Sequence, residues 1–347
     1  MKRNNLILLI ILAAVGLILA GKFLLDNKKS TGKWQADDFA VQDTSTITKI
    51  FLSDKTGAAA LLEKSAGDWM INGKYKAFNP AVDVLLMTLL RIQIKIEVPD
   101  PAYNNVVKEL ASLGIRTEVY EGDDLIKSFY IGGSTNDSRG TYAIMEEDGE
   151  VADQPFIVYV PGQEGFLTPR FFLNEEAWRD RTVFDFDVKD FKAVAVDYPQ
   201  FPEHAYRIEV NGDQFDLRGK EDFHSEDTRQ PDALLISQYL SNFQNITFEA
   251  FDNTNSKRDS IASSTPFCSI YISTSTNGES EIMLWHFPVG ERTKVQFDLE
   301  GNALPFDPDR YYALVNGAKD FVIAQHVIFA RLMMVYDYFL TRPSSEK

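Results

Sequence analysis

Residues 80–92 read PAVDVLLMTLLRI and residues 231–243 read PDALLISQYLSNF, and the architecture of the chain turns on how far these two stretches match. In the first, Val82, Leu85, Leu89 and Ile92 step i, i+3, i+7, i+10, which puts them on one stripe of an α-helix. In the second, Ala233, Ile236, Leu240 and Phe243 do the same, 151 residues later at every position. A proline opens each stretch, placed at a first-turn position where its missing N–H costs nothing.

The flanking sequence extends the match. Ile47–Leu52 (ITKIFL) and Phe191–Val196 (FKAVAV) alternate as strands, and Trp69–Ile71 and Ile208–Val210 run into Asn72-Gly73 and Asn211-Gly212, dipeptides that favour tight hairpin turns. After each helix comes another strand, Gln93–Val98 or Asn245–Phe248. Farther on, Pro155–Gly162 (PFIVYVPG) resembles Tyr311–Gly317 (YYALVNG), and a Phe-rich helix is expected after each. The last of these, Asp320–Leu340, is apolar enough to raise the question of a membrane span. Gln325, His326, Arg331 and Asp337 interrupt it, so it is expected to pack in the core. The series predicts an α+β fold of two tandem repeats, residues 40–187 and 188–347, each a mainly antiparallel sheet with packed amphipathic helices.

Ahead of the repeats, residues 6–25 read LILLIILAAVGLILAGKFLL, with one charge at Lys22. Twenty helical residues at about 1.5 Å each span a hydrocarbon core of roughly 30 Å. Residues 1–25 therefore read as an N-terminal transmembrane signal anchor, with Leu6, Ile11, Val15, Leu19 and Leu25 in the bilayer, and residues 26–39 as a polar tether. Cleavage after Ala20 would place Ile18 where a small residue is preferred, and Lys22 stands where a lipoprotein needs an acylated Cys. Soluble export after cleavage near Ala20 is the competing expectation. Gly16, Gly21 and Lys22 mimic a phosphate-binding loop, but Phe23 replaces its hydroxyl residue and no strand precedes it.

Net charge is −16, from 51 acidic and 35 basic residues, and the first 25 residues hold three bases and no acid. A body so negative repels phosphate backbones and anionic lipid headgroups, which argues against nucleic acid as a partner and against a membrane-surface role for its bulk, while leaving room for local basic patches. No catalytic set, cofactor site or metal site emerges. His204, His224, His286 and His326 lack metal-ligand spacing. Cys268 alternates with Ile270 and Ile272 and so reads as core, although His286 on a neighbouring strand stays open as a partner. Asp307-Pro308-Asp309 and Asp252–Asn255 read as turns. Gly132–Asp137 reads as a loop between strands Lys127–Ile131 and Thr141–Met145. Trp178, Arg179, Asp180 and Arg181 join a ring, two guanidinium groups and a carboxylate, either as inter-repeat contacts or as a ligand clamp.

Several stretches carry a resemblance: DFAVQDTSTITKIFLSDK (Asp38–Lys55), GDWMINGKYKA (Gly67–Ala77), FYIGGSTNDSRGTYAIM (Phe129–Met145), FLTPRFF (Phe166–Phe172) and WRDRTVF (Trp178–Phe184). With the basic start and single span, they resemble the bacterial membrane-anchored proteins of the family known as domain of unknown function 4340. That resemblance implies a Gram-negative inner-membrane location with the C-terminal bulk in the periplasm, and an association with auxiliary components of gliding-type ABC transporters. It brings no catalytic motif. The expected function is a non-enzymatic interaction or scaffold module whose partners are other envelope or membrane proteins, such as an ABC transporter or an envelope-assembly complex. The alternative is an exported hydrolase or ligand-binding enzyme using a groove between repeats, with Gly132–Gly140 and Trp178–Arg181 as its lining.

Overall fold

Alternation sets the first sheet. In strand β1 (Lys49–Ser53), Ile50 and Leu52 are fully buried while Lys49, Phe51 and Ser53 face the other way. The computed structural model describes residues 34–340 apart from 225–228, 277 and 292. The anchor residues Leu6, Ile11, Val15, Leu19 and Leu25 lie outside the described residues. Among the described residues, no helix is long and apolar enough to cross a membrane. The chain divides into two compact units between Asp180 and Arg181.

In the first unit β1 is followed by β2 (Ala59–Ser65), β3 (Asp68–Ile71), β4 (Tyr75–Lys76), helix α1 (Asn79–Arg91), β5 (Gln93–Glu97), helix α2 (Asp100–Leu113), β6 (Ile115–Glu121), β7 (Asp124–Ser134), β8 (Thr141–Glu147), β9 (Glu150–Val151) and β10 (Phe156–Tyr159). They form a ten-stranded sheet in the order β4-β3-β2-β1-β6-β7-β8-β10-β5, with β9 paired to β8. Every pairing is antiparallel. Helix α1 closes the inner face: Val82, Leu85, Leu89 and Ile92 are buried in one core with Ile50 and Val119. Helix α2 covers part of the outer face, setting Val106 and Leu110 against Ile144. That approach needs a glycine below it, since a Cβ on Gly132 would lie 2.6 Å from Leu110 Cδ2. The glycine pair at 132–133 is thus a seat for α2, at the end of β7.

The second unit runs β11 (Thr182–Phe184), β12 (Phe191–Asp197), β13 (Tyr206–Asn211), β14 (Gln214–Gly219), helix α3 (Ala233–Ser241), β15 (Ile246–Thr247), β16 (Ala250–Phe251), helix α4 (Arg258–Ala262), β17 (Cys268–Thr274), β18 (Gly278–His286), β19 (Arg310–Val315) and β20 (Asp320–Gln325). Its eight-stranded sheet has the order β14-β13-β12-β17-β18-β19-β20-β16, and β11 pairs β15 apart from it. Element for element this repeats β3-β2-β1-β6-β7-β8-β10-β5 of the first sheet, with a helix at the same two places in the order. Register agrees as well: Ile50 sits between Leu62 and Val119, and Val194 between Ile208 and Ile272.

Several sequence expectations need correction. Asp320–Leu340 is not a helix: it is strand β20 followed by a turn of α-helix at His326–Phe329 and short 3-10 turns. Phe321 packs on one face of the sheet and Val322 and Ala324 on the other, so the strand is apolar on both faces between Asp320 and Gln325 and lacks the period of two. Tyr311–Gly317 answers to β8 rather than to Pro155–Gly162, because β19 and β8 hold the same place in their sheets. Trp69–Ile71 likewise answers to β14, not to Ile208–Val210. Pro231 lies just before α3, whose N-cap is Asp232 accepting from Leu234 N and Leu235 N, whereas Pro80 is inside the first turn of α1. Residues 34–39, read as the end of the tether, belong to the first unit: Phe39 is fully buried, 5.5 Å from Phe129 between ring centroids, and Ala36 O accepts from Ile94 N.

Two substitutions test this packing. Leu85→Ala should lower stability by about 2–5 kcal/mol in urea denaturation, while Leu90→Ala on the outer side of the same helix should stay within about 0.5 kcal/mol. Thr117 Oγ1 is buried with no hydrogen-bond partner among the described residues, at a position where the second sheet has Ile270. Thr117→Val should therefore raise stability by about 1 kcal/mol.

Candidate functional site

The segment Trp178–Arg181 falls across the boundary between the units. Trp178 is fully buried; its indole Nε1–H donates to Phe172 O at 2.9 Å, and its ring meets Phe172 edge-on at 5.0 Å. Arg179 lays its guanidinium 3.8 Å over the Tyr75 ring, and Asp180 N donates to Lys76 O. These contacts bind the segment into the first unit. Arg181 belongs to the second, where its Nη1 donates to Glu249 O at 2.7 Å.

The outer sheet faces differ more than the inner ones. In the first unit, Leu61, Phe51 and Glu118 lie in one cross-strand row and Glu63, Lys49 and Tyr120 in the next, with Lys49 Nζ 4.2 Å over the Tyr120 ring. The equivalent rows in the second unit are Arg207, Ala195, Tyr271, Glu281 and Glu209, Ala193, Ser273, Glu279. Two alanines and a serine stand where the first unit has Phe, Lys and Tyr. The space they leave is a cleft of about 780 Å³, lined by Ala193, Ala195, Arg207, Tyr271, Glu279 and Glu281 among others. That volume is within the range of small-molecule and peptide-side-chain sites. Arg207 Nε is held by Glu209 at 3.1 Å, which neutralises it and leaves the carboxylates of Glu279 and Glu281 to set the sign of the cleft. Burial, reinforced by the Glu281 carboxylate, pushes the Tyr271 phenol above its ordinary value, so it stays a neutral donor at the cleft wall.

These residues escaped a reading based on motifs because none is unusual alone. The available signal was the pairing of ITKIFL with FKAVAV, in which Lys49 and Phe51 answer to Ala193 and Ala195. Only the register of the neighbouring strands turns two alanines into a cleft.

Other polar groups are committed to structure. Cys268 faces the core opposite Leu284, and burial pushes its thiol far up, away from thiolate. The His286 ring is stacked between Phe267 and Phe306, at 4.3 and 4.0 Å between centroids, and burial holds it below the ordinary histidine value. Tyr311 shares a hydrogen bond with His326 Nδ1 and is pushed up to about 12 by burial. Tyr206 donates to the Tyr239 hydroxyl in the core at 2.7 Å, and Tyr239 in turn donates to Leu332 O. Among the described residues, no three His, Cys, Asp or Glu side chains converge in a way that could hold a metal ion.

On the outer face of the first unit, Arg116 bridges Glu118 at 2.8 Å and Glu146 at 2.7 Å, and Ser128 donates to the same Glu146 oxygen. Burial alone would raise Glu146, but the bonds from Arg116 and Ser128 outweigh it and hold the carboxyl below its ordinary 4.5. A depressed folded-state value contributes stability that is present above the unfolded value and disappears as pH falls through the folded one. Wild type should therefore exceed Glu146→Gln in stability at about pH 6, and the gap should close by about pH 3, read as urea midpoints at the two pH values.

No curated protein matches the chain. A family model described as Domain of unknown function (DUF4340) matches residues 69–264, more than half of the 347 residues and parts of both units. The chain therefore belongs to the DUF4340 family.

Proposed function

We propose that this chain is a non-enzymatic binding module of the bacterial envelope, built from two copies of one α+β repeat. Residues 1–25 anchor it in the inner membrane, and its body lies on the periplasmic side. Its partner is an envelope or membrane protein, with ABC-transporter components and envelope-assembly proteins as the classes that the family resemblance favours. The outer-face cleft of the second unit is the docking site.

One observation carries this reading. On the eight strands that the two sheets share in the same order, Phe51 and Tyr120 occupy the outer face of the first unit, while Ala195 and Ser273 leave a cleft of about 780 Å³ in the second. Small residues at the centre of a sheet face, ringed by Arg207, Tyr271 and Glu281, make a concave surface with a few convergent polar groups, which favours an occupant. The described lining includes no His and no Cys, which favours recognition over nucleophilic chemistry. The apolar run of residues 6–25 favours a partner in or beside the membrane.

Placing a photo-crosslinking residue at Tyr271 in intact membranes tests the site. Reproducible capture of an integral membrane protein is expected, and Ala195→Phe, which restores the bulk found at Phe51, should reduce that capture about tenfold, the equivalent of roughly 1.4 kcal/mol. Equal capture with and without Ala195→Phe would remove the cleft from the proposal. Recovery of the native protein in the soluble periplasmic fraction would remove the anchor.

A further inference from the structure

Helix α1 carries apolar side chains on both sides. Its inner stripe is core, but Val84, Met87 and Leu90, at i, i+3 and i+6, are 48%, 45% and 39% exposed on the opposite side, around a single exposed carboxylate at Asp83. The equivalent helix α3 answers with Leu235, Gln238 and Ser241, so two of its three equivalent positions are polar where all three in α1 are apolar, although Leu234 near its start is 67% exposed. Within one fold, then, the last two turns of this helix keep a polar outer side in the second unit and a more apolar one in the first.

The entry of the chain identifies what faces Val84, Met87 and Leu90. Val41 N donates to Leu89 O and Ala36 O accepts from Ile94 N, so the incoming segment runs along the last turn of α1, next to Leu90. Trp34 is tied down there by edge contact with Phe156 at 5.7 Å. Between Trp34 and the apolar run ending at Leu25 lie the residues 26–33, DNKKSTGK. Fully extended at about 3.3 Å each, they cannot carry this end of the first unit farther than roughly 30 Å from the bilayer surface. Three of the eight are lysines and none but Asp26 is acidic, and Arg91 at the end of α1 adds a cation beside Leu90, so this end is a local basic patch on an acidic body and offsets the Asp83 carboxylate on the same helix.

We infer that the Val84–Met87–Leu90 face of α1 docks onto the lipid surface of the membrane that holds the chain's own N-terminal run, seating the first unit on the bilayer. This rests on the anchor proposed above. A tether so short keeps the stripe at high effective concentration next to lipid, so three partly exposed side chains suffice where a free protein would need a larger patch.

The test uses the full chain reconstituted in proteoliposomes. An environment-sensitive fluorophore is attached at Met87→Cys or, as control, at Gln238→Cys; the native Cys268 is fully buried and takes no label. Vesicles containing acyl chains brominated near the headgroup should quench the label at 87 about fivefold more strongly than the label at 238, because only the former would lie at the depth of the acyl boundary. Weak and equal quenching at both sites, in protein that resists alkaline carbonate extraction, overturns the docking and leaves the anchor standing. Release of the chain by carbonate overturns the anchor, and the docking with it. A blue-shifted label at 87 that escapes bromine quenching, together with crosslinking between two copies at that position, assigns the stripe to a second copy of the chain and overturns the lipid assignment.

Discussion

Each unit depends on a single row of contacts across its sheet: Ile71, Leu62, Ile50 and Val119 in the first, Leu217, Ile208, Val194 and Ile272 in the second. Side chains alternate along a strand with period two, so a slip of one residue in any of these pairings would turn every buried side chain of that strand outward. The helix that closes the inner face, α1 or α3, can be seated only on a row held in register, and buried stripes such as Val82, Leu85 and Leu89 interlock with it. Register is thus the constraint from which sheet order, helix placement and the character of the outer face all follow.

Because the inner row is fixed, the outer row is free to differ. Ile50 and Val194 are near equivalents in volume, but their immediate neighbours are Lys49 and Phe51 in one case and Ala193 and Ala195 in the other. The first unit uses its outer face for a lid of α2 and for the Arg116, Glu118, Ser128 and Glu146 network, whose paired charges are satisfied within the sheet. In the second unit α4 has five residues where α2 has fourteen, and the face it leaves uncovered carries the cleft. One scaffold thereby supports a filled face and an open one, which is how sites come to be added to folds.

Helices α1 and α3 and many of the strands were legible in the sequence because they obey simple periods, whereas α2 was not anticipated. The stripe from Val82 to Ile92 has the helical period, and ITKIFL and FKAVAV have the strand period, so their elements are where the pattern put them. Strand β20 was not legible. Phe321, Val322 and Ala324 are buried on opposite faces, and a strand apolar on both sides has no period with which to announce itself. The correspondence of Trp69–Ile71 with Ile208–Val210 failed for another reason. Both precede an Asn-Gly dipeptide, but Asn72-Gly73 turns β3 into the short strand β4, while Asn211-Gly212 turns β13 into β14. A turn signal says that the chain reverses, not which pair of strands it joins. The cleft was invisible for want of register, since Ala195, Tyr271 and Glu281 are brought side by side by pairings across three strands.

The titratable groups shifted most clearly by their surroundings are shifted by burial or by pairing. A nucleophile or a general acid and base must lie near neutrality, in reach of each other and of solvent. Cys268 is pushed up and His286 down, each by burial, so the thiol stays protonated and the imidazole stays neutral at the pH where they would have to exchange a proton. Glu146 is held below its ordinary value by Arg116 and Ser128, which suits an ion pair at neutral pH. The Tyr271 phenol at the cleft is raised, so what it offers a partner is a hydrogen bond and an aromatic face beside the Glu281 carboxylate. An aromatic wall at Tyr271, a floor of Ala193 and Ala195 and the carboxylates of Glu279 and Glu281 give the cleft the chemistry that a cationic or amphipathic part of another molecule would match under the docking role proposed above.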